Sequence, residues 1–453
     1  MVFSSLEFLL IFLPIFLIVY YLIPVRFRNL CLLIFSLGFY VYGTWGQPEQ
    51  VGLLLASVCL NYAVGLGLEK HNSKILLTAG LVFNFGILFL FKYSGFFLSF
   101  VSDSFSKLAL PVGISFYTFQ AAAYLIDIYR KTTPAEHNIV CFGTYLVMFP
   151  KLVSGPIARY SELRKALHRR KHKKELFFRG LQLLILGLGL KVLFANRIGN
   201  LWRVINGIGF ASISMPLAWM GLLACSLQIY FDFWGYSLMA VGLGNMIGFH
   251  LPVNFRHPYQ ARSMTEFWRR WHITLGAWFR DYVYIPLGGN RCGKGKTYRN
   301  LLIVWVLTGV WHGAGWNFLL WGLLLFAIIA LEKSGLLSVL DKKPLLSHLY
   351  MILLIPLSWL LFSVTDMHSL GVYLLRLIGL GGDAVFQGDF LKYAAQYGEL
   401  LAVGVLMCTP IPYRVWDRVK KPWAIAVVLA VILFSCVYYL FQGSNDPFLY
   451  FSF

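Results

Sequence analysis

Residues 300–333 read NLLIVWVLTGVWHGAGWNFLLWGLLLFAIIALEK, an almost uninterrupted apolar stretch that contains one histidine, His312. A run of this length is typical of a segment that crosses a bilayer, and the glycines at residues 313–315 weaken its helix just after the histidine. Twelve residue steps from Asn300, at ~1.5 Å each, place the imidazole about 18 Å beyond the preceding basic loop, near the middle of a ~30 Å hydrocarbon core. An ionisable side chain at that depth is a candidate functional residue.

The whole chain has the composition of a polytopic membrane protein. Of its 453 residues, 58% are hydrophobic and only 13% are charged, and the mean hydropathy is +0.68, which excludes a soluble domain. We therefore predict an all-α fold of about eleven transmembrane or re-entrant helices, forming a single membrane domain over residues 1–453. The first apolar run lacks a basic flank and a small-residue cleavage site, so we expect it to be retained rather than cleaved as a signal peptide.

Several segments are simple apolar runs, and three are irregular. The simple runs cover residues 6–23, 29–45, 50–69, 74–91, 176–195, 345–364, 397–410 and 423–442. Residues 94–130 contain Pro111 and Gly113, which is compatible with a kinked span or with a bent helix that lines a pocket. Residues 149–160, FPKLVSGPIARY, have basic flanks on both sides and are predicted to be re-entrant. For residues 212–250 we expect one crossing followed by a re-entrant or interfacial helix.

The net charge of +20 is concentrated in two stretches. Residues 159–174 contain eight Lys or Arg and one acidic residue, and residues 256–299 contain nine and two. The positive-inside rule places both stretches in the cytoplasm and both chain termini outside it, in an inner (cytoplasmic) membrane protein. The aromatic residues within 256–299 favour amphipathic helices at the interface. Nucleic acid is not an expected partner of so apolar a chain, but these loops could attract an anionic cytoplasmic substrate.

A second histidine, His272, lies in WRRWHITL, forty residues before His312. One central imidazole and one near the cytoplasmic face would suit acyl transfer coupled to proton transfer, because histidine acts as both acid and base near neutral pH. Taken alone, a histidine among Trp and Arg is more often structural, bonded to a backbone carbonyl, than catalytic. Asp232 and Asp281 each lie in an aromatic, membrane-proximal setting, where the carboxylate either pairs with a nearby arginine or orients a histidine.

Other kinds of catalytic and binding site are not indicated. The sequence has no GxSxG or HExxH motif, and GGNRCGKGKT at residues 288–297 lacks the spacing of a P-loop. This basic loop is either simply flexible or a contact for a phosphate-bearing donor. The seven cysteines are scattered singly, so neither a disulfide framework nor a metal site is predicted.

Five stretches in chain order resemble one protein family. They are FYTFQ with YLIDIYR, FPKLVSGPIARY, YFDFWGYSLMAVGLGNMIGFHLPVNFRHPY, TEFWRRWHITLGAWFRDYVYIPLGGNR and LTGVWHGAGWNFLLWG. They resemble the membrane-bound O-acyltransferase (MBOAT) family, and within it the bacterial alginate O-acetyltransferase branch. The resemblance runs from about Leu6 to the terminal FLYFSF and therefore covers nearly the whole chain.

The resemblance implies an acyltransferase whose invariant histidine is His312 and whose second site position is His272. It implies a funnel through the membrane, acetyl-CoA as the donor substrate with no further cofactor, and a surrounding of membrane lipid. It also implies a periplasmic or membrane-tethered partner, similar to SGNH hydrolases, that acetylates an exported polysaccharide. The residues expected to bind donor or substrate are Asp232, Trp271, Arg270, Asp281, Trp311, Lys151 and Ser154.

Two alternatives remain open at the level of sequence. The same family includes enzymes with other acceptors, for example peptidoglycan, cellulose or teichoic acid, the last through D-alanyl transfer. A transporter or flippase for a lipid-linked sugar could instead use His312 to couple transport to protons. Inverted repeats would favour a transporter, and we find none in the sequence.

Overall fold

The fold is all-α, as predicted. The computed structural model describes residues 2–98, 110–153, 155–381 and 388–443, and these ranges contain no β-strand. The α-helices are α1 (Leu13–Leu22), α2 (Arg28–Gly43), α3 (Pro48–His71), α4 (Lys74–Leu98), α5 (Ile114–Tyr129), α6 (Ile139–Val147), α7 (Phe149–Leu152), α8 (Tyr160–His168), α9 (Lys174–Gly189), α10 (Arg197–Ile208), α11 (Met215–Met246), α12 (Met264–Arg270), α13 (Ile273–Phe279), α14 (Lys294–His312), α15 (Trp316–Leu331), α16 (Leu337–Lys342), α17 (Pro344–Ser363), α18 (Met367–Leu377), α19 (Asp389–Met407), α20 (Ile411–Arg418) and α21 (Pro422–Phe441). The π-helical segments are Phe8–Phe12, Leu190–Asn196, Arg280–Tyr284 and Glu332–Leu336, and the 3-10 segments are Val25–Phe27, Phe210–Ser212 and Pro258–Gln260.

Eight helical stretches within the described ranges are long and apolar enough to cross a bilayer. They are Val25–Gly43, Pro48–His71, Lys74–Ser94, Lys174–Ile208, Met215–Met246, Trp316–Lys342, Pro344–Ser363 and Pro422–Phe441. A ninth results if α19 and α20, which are bent by 71° at their junction, form one span. The chain is therefore a multi-pass membrane protein. The predicted number, about eleven, was larger because it included re-entrant segments and the shorter apolar helix at Phe8–Leu22.

The chain divides into two compact units. The first comprises Met1–Ile185, Tyr236–Val253 and Arg280–Tyr282, and the second comprises Leu186–Gly235, Asn254–Phe279 and Val283–Phe453. Both candidate catalytic histidines belong to the second unit. Lys151, Ser154 and Asp281 belong to the ranges of the first.

The prediction for residues 212–250 was wrong, because α11 is one continuous helix of 32 residues. We expected a second, re-entrant or interfacial helix because the stretch is longer than one crossing and ends at a basic segment that the positive-inside rule places in the cytoplasm. The Asp232 carboxylate lies 2.5 Å from the ammonium group of Lys191, and both side chains are almost completely buried. The ion pair keeps the polar centre of α11 inside the protein, so the helix can continue without a break.

For residues 300–333, the predicted weakening of the helix just after His312 is confirmed, but one continuous crossing is wrong, because the stretch forms a hairpin of two helices. α14 ends at His312, and α15 begins after the glycines of residues 313–315. The two helices are antiparallel and close. A Cβ atom at Gly322 would lie 2.5 Å from the carbonyl oxygen of Trp305, and one at Gly309 would lie even closer to that of Phe318. Small residues permit this backbone contact and place His312 at the tip of the hairpin.

Replacing Gly309 or Gly322 by alanine tests the hairpin. The added methyl group would meet a backbone carbonyl that no side-chain movement can remove, so the helices must separate. We expect each variant to lose about 1–3 kcal/mol of unfolding free energy, measured as a lower melting temperature in detergent. Gly295→Ala is the control in the same helix, since its Cβ would have no neighbour within 4 Å. Equal melting temperatures for all three variants would contradict the backbone contact.

Candidate active site

The α12 helix is held at its N-terminus by a buried carboxylate. Glu332 is fully buried and accepts hydrogen bonds from the backbone N–H groups of Met264 (2.6 Å) and Thr265 (2.8 Å). The hydroxyl groups of Thr265 (2.6 Å) and Tyr350 (3.1 Å) also donate to it. The first N–H groups of a helix have no partner within the helix, and a negative charge there is favourable. Glu332 therefore fixes α12, the helix that leads to His272, against α15 and α17.

The backbone turns sharply at His272, between α12 and α13. His272 has φ 41°, in the left-handed region that few residues other than glycine adopt. Buried Asn254 holds this turn: its carbonyl oxygen accepts from the N–H of Ile273 (3.0 Å). Its side-chain oxygen accepts from the N–H (3.2 Å) and hydroxyl (2.7 Å) of Thr274. These bonds pin the residues just after His272 and maintain its unusual backbone conformation.

The His272 side chain is 2% exposed and surrounded by aromatic rings. Its ring centroid lies 4.7 Å from that of Phe233 and 6.3 Å from that of Trp311. Neither of its ring nitrogens has a hydrogen-bond partner among the described residues. Burial lowers the pKa of His272 to about 3, so the imidazole is neutral at physiological pH. A neutral imidazole retains one donor and one acceptor for a bound group.

His312 is the last residue of α14 and is 8% exposed. Three aromatic rings meet its imidazole edge to face, with centroids at 4.7 Å (Trp311), 5.1 Å (Trp321) and 5.0 Å (Phe362). The amide of buried Asn317 donates to the backbone oxygen of Phe362 (2.9 Å) and so joins the start of α15 to the end of α17. His312 thus occupies an apolar, aromatic enclosure at the hairpin tip.

The structure brings four predicted site residues together in the second unit. Trp311 is a ring neighbour of both imidazoles, and Trp271 directly precedes His272. Trp271 also packs against Trp359 of α17 (centroids 4.8 Å apart), which in turn stacks on Trp321 (6.2 Å). One continuous set of indole rings therefore joins the surroundings of His272 to those of His312. Sequence separation alone could not reveal this arrangement.

The other two predicted residues of this unit have partners of their own. Asp232 pairs with Lys191, which is not one of the arginines that we expected. Its neighbour in sequence, Phe233, contacts the His272 ring. Arg270 pairs with Glu266 at 2.5 Å, one helical turn away on α12. A role in donor or substrate binding stays a prediction for both residues.

Asp281 lies in the first unit and has the arginine partners that we predicted. Arg280 donates two hydrogen bonds to its carboxylate, at 2.7 and 3.0 Å, and Arg159 donates another. Burial opposes ionisation, but the bonds from Arg280 and Arg159 outweigh it and hold the pKa of Asp281 below its usual value. These contacts support the structural interpretation of this carboxylate.

Lys151 also lies in the first unit, in the short helix α7. Its side chain is fully buried, donates to the side-chain oxygen of Gln120, and lies 4.5 Å from the ring centroid of Tyr145. All four residues of α7 are buried, which is the protein cover that a re-entrant segment requires. Ser154, predicted to contribute to the same site, lies outside the described residues.

Three possible metal ligands lie near one another in the first unit. The ligand atoms of Glu136, Cys141 and His168 are all within 4.8 Å of one another. The Glu136 carboxylate accepts from the hydroxyl of Tyr160 (2.7 Å) and lies at hydrogen-bond distance, 2.8 Å, from His168 Nε2. Hydrogen bonding accounts for the proximity of Glu136 and His168, and the predicted absence of a metal site stays a prediction.

Two residues that organise the site were not predicted from the sequence. Asn254 supports the backbone at His272, and Glu332 fixes the start of α12. A weak signal existed for Glu332, because it is a single carboxylate at the end of an apolar run. Asn254 carried no such signal, since its partners lie twenty residues further along the chain.

Comparisons with known proteins agree on one family. The profile of the MBOAT, membrane-bound O-acyltransferase family matches residues 131–373. A probable alginate O-acetylase AlgI of Azotobacter vinelandii is 40% identical over 81% of this chain and 76% of its own length. A Pseudomonas putida protein of the same name is 34% identical over the full length of both chains. A peptidoglycan O-acetyltransferase of Helicobacter pylori is 29% identical over 100% of this chain and 98% of its own.

The neutral state of His272 predicts a specific effect of pH on stability. The unfolded chain gains a proton on this residue below pH ~6.5, whereas the folded chain gains it only near pH 3. The unfolded state therefore binds more protons in this interval, and stability falls as the pH is lowered. His272→Asn removes the titrating group and keeps a residue that tolerates the left-handed backbone. We expect its melting temperature to fall less than that of the unmodified protein between about pH 7.5 and 5.

The control for this measurement is His71→Asn, at an exposed histidine that ends α3. Its melting temperature should follow the same pH dependence as that of the unmodified protein. Parallel curves for His272→Asn and the unmodified protein would show that the imidazole is not held neutral by burial.

Proposed function

Because the chain belongs to the membrane-bound O-acyltransferase family, we propose that it moves acetyl groups from cytoplasmic acetyl-CoA toward hydroxyl groups of a polysaccharide outside the cytoplasm. The chain is a multi-pass membrane protein and an O-acetyltransferase, in keeping with its relatives. The donor, the direction of transfer, the inner-membrane location with both termini outside, and a separate periplasmic partner are parts of the proposal.

The observation that carries the proposal is the position of His312 at the tip of the α14–α15 hairpin, inside an aromatic enclosure. A thioester must be protected from water if its acetyl group is to reach a chosen hydroxyl. An imidazole in an apolar enclosure can act as a base without nearby water molecules that would hydrolyse the thioester. Trp311, Trp321 and Phe362 contribute this environment.

In the proposed reaction, His312 takes the proton from the acceptor hydroxyl as its oxygen attacks the thioester carbonyl. The C–O bond forms, the C–S bond breaks, and the proton returns from the imidazolium to the departing thiolate. The products are an acetyl ester and free coenzyme A. One histidine can perform both proton transfers, since it acts as base and acid within a single turnover.

His272 is assigned to positioning rather than to proton transfer. Burial holds its pKa at about 3, so it is a poor acceptor of a proton at neutral pH. Its ring nitrogens have no partner among the described residues and can hydrogen-bond a bound thioester or its pantetheine amides. These two properties favour orienting the donor, rather than relaying the proton, as the role of His272.

The donor phosphates are assigned to basic residues in the loop before α14 and in the first turn of that helix. Arg291, Lys294 and Lys296 are all exposed. The loop is anchored by buried Asn300, whose side-chain amide donates to the carbonyl groups of Leu287 (3.1 Å) and Gly289 (3.2 Å). Exposed cations on a fixed loop can attract an anionic donor to the start of the helix that carries His312.

The acceptor is proposed from the relatives. The AlgI proteins are named as alginate O-acetylases, which favours an alginate-like exported polysaccharide. The Helicobacter relative is named for peptidoglycan, so this polymer is the second candidate. Cellulose and teichoic acid acceptors and a transporter function are less well supported, since no observation favours them over acetyl transfer to these two polymers.

Substitution of His312 tests the catalytic assignment. His312→Ala should lower the release of free coenzyme A from acetyl-CoA in reconstituted vesicles by about 10²–10⁴-fold, the range lost with a general base. The variant should remain folded in the membrane, with a melting temperature near that of the unmodified protein. His71→Ala, at an exposed histidine, is the matched control and should keep full activity. Normal acetyl transfer by His312→Ala would contradict the assignment, and solute movement without thioester consumption would indicate a transporter.

Charge reversal in the basic loop tests donor binding. The triple variant Arg291→Glu, Lys294→Glu, Lys296→Glu should raise KM for acetyl-CoA by about tenfold or more, equivalent to about 1.4 kcal/mol, with a much smaller change in kcat. The control reverses Arg418, Lys420 and Lys421, which are also exposed and lie in another basic stretch. An unchanged KM, or an equal rise in the control, would assign the donor phosphates elsewhere.

A further inference from the structure

The second unit contains a large cleft that is separate from the two histidines. Its volume is about 1160 Å³, above the roughly 300–1,000 Å³ of most small-ligand sites. Helices α11, α12, α17 and α19 and the segment Pro258–Gln260 contribute to its walls. Neither His272 nor His312 is among the lining residues. The reaction proposed above leaves this cleft without a role.

The deeper walls of the cleft are apolar. Leu223 and Leu227 come from α11, Met351 and Ile355 from α17, and Val405 from α19. These residues lie within helices that are candidate membrane spans or part of the broken span. The lining residues of α17 run from His348 to Pro356, about 12 Å along the helix axis. This apolar depth matches a hydrocarbon chain better than a polar metabolite.

The mouth of the cleft is charged and carries a positive excess. Arg270 and Glu266 neutralise each other through their ion pair. The guanidinium groups of Arg262 and Arg269 are exposed and make no ion pair among the described residues, although the backbone N–H of Arg262 donates to Glu266. Asp341 is the one further acidic group in the lining. With two arginines and one carboxylate, the mouth of the cleft has a net positive charge that can bind an anionic group. Arginine suits phosphate in particular, because its guanidinium can donate two parallel hydrogen bonds to the phosphate oxygens.

The charged and apolar parts are arranged along the membrane-spanning helices. On α17, the lining residues begin at His348, five residues after the basic pair Lys342 and Lys343, and continue to Pro356, just past the middle of the helix. On α19, they lie at the end that precedes Arg414 and Arg418 of α20. The charged mouth therefore lies at the basic ends of these helices, where lipid head groups are found, and the apolar walls extend toward the hydrocarbon core.

We propose that this cleft binds an anionic glycerophospholipid, with its phosphate at Arg262 and Arg269 and an acyl chain along α11, α17 and α19. Asp341 can accept hydrogen bonds from the hydroxyl groups of a glycerol head group, so phosphatidylglycerol is the chosen probe. One wall of the cleft is α12, which continues into Trp271 and His272. A bound lipid therefore supports the helix that positions His272.

Coenzyme A shares the phosphate chemistry of this lipid but fits the cleft less well. Its acyl group is only an acetyl, so it would leave the apolar walls of α11, α17 and α19 uncovered. Its thioester must also reach the catalytic imidazole, and His312 is not in the lining. The lipid and the coenzyme can be distinguished by their need for a long hydrocarbon chain.

Native mass spectrometry of the delipidated protein in detergent tests the proposal. We expect one tightly bound long-chain phosphatidylglycerol, with at least fivefold weaker binding of phosphatidylethanolamine and of a short-chain phosphatidylglycerol. Coenzyme A should not displace the lipid. The double variant Arg262→Gln, Arg269→Gln should weaken phosphatidylglycerol binding at least fivefold. The control is the double variant Arg414→Gln, Arg418→Gln, at two residues that are exposed and outside the cleft. It should bind phosphatidylglycerol as tightly as the unmodified protein does.

Three results would overturn the proposal. An equal loss of phosphatidylglycerol binding in both double variants would indicate that anionic lipid is attracted to the basic ends of the helices in general, and not to this cleft. Equal binding of short and long chains would reduce the cleft to a phosphate site, and displacement by coenzyme A would assign it to the donor. Because the readout is lipid binding and not acetyl transfer, these outcomes are independent of the proposed enzymatic activity. A melting temperature below that of the unmodified protein identifies a variant that has lost binding through misfolding, and Arg262→Lys, Arg269→Lys then tests the charge alone.

Discussion

The close backbone contact between α14 and α15 determines where His312, the proposed catalytic base, lies. Gly309 and Gly322 let the two helices approach until backbone meets backbone, and the chain reverses directly after His312. Any larger residue at these positions would separate the helices and move the imidazole away from Trp321 and Phe362. The enclosure around the proposed base is thus a consequence of helix packing, and it exists before any substrate binds.

The surroundings of the two histidines differ, and this difference supports different proposed roles for them: positioning for His272 and proton transfer for His312. His272 depends on a strained turn held by Asn254 and on a helix start held by Glu332. Such fixed geometry, with burial that keeps the ring neutral, suits the orientation of a donor. His312 ends α14, where the negative end of the helix dipole favours the imidazolium that forms when a base takes a proton. Trp311 touches both rings and is the physical link between the two positions.

The sequence predicts the fold class, because apolar runs are local signals. It also marks His312 as a candidate, because an ionisable group within an apolar run is a local signal, whereas His272 was singled out as the second imidazole of a pair; both catalytic roles stay predictions. It does not predict the hairpin, since an apolar stretch of 34 residues has the same composition whether it crosses once or turns back. The partner of Asp232 was missed for a related reason: Lys191 lies inside a run that reads as an ordinary span, and only tertiary packing brings the two together. Asn254 and Glu332 act through contacts that are distant in sequence, which periodicity cannot reveal.

The central claim is that a thioester reaches His312 while His272 holds it. The most direct measurement is an experimental structure of the protein in lipid with a non-hydrolysable acetyl-CoA analogue. The account predicts that the acyl carbon of the analogue lies beside the His312 imidazole, with space for one acceptor oxygen roughly 3–3.5 Å from that carbon and within hydrogen-bond distance of His312. It also predicts an imidazole nitrogen of His272 at hydrogen-bond distance from the analogue. An analogue bound with its acyl end in the cleft of α11, α12, α17 and α19, away from both imidazoles, would contradict it.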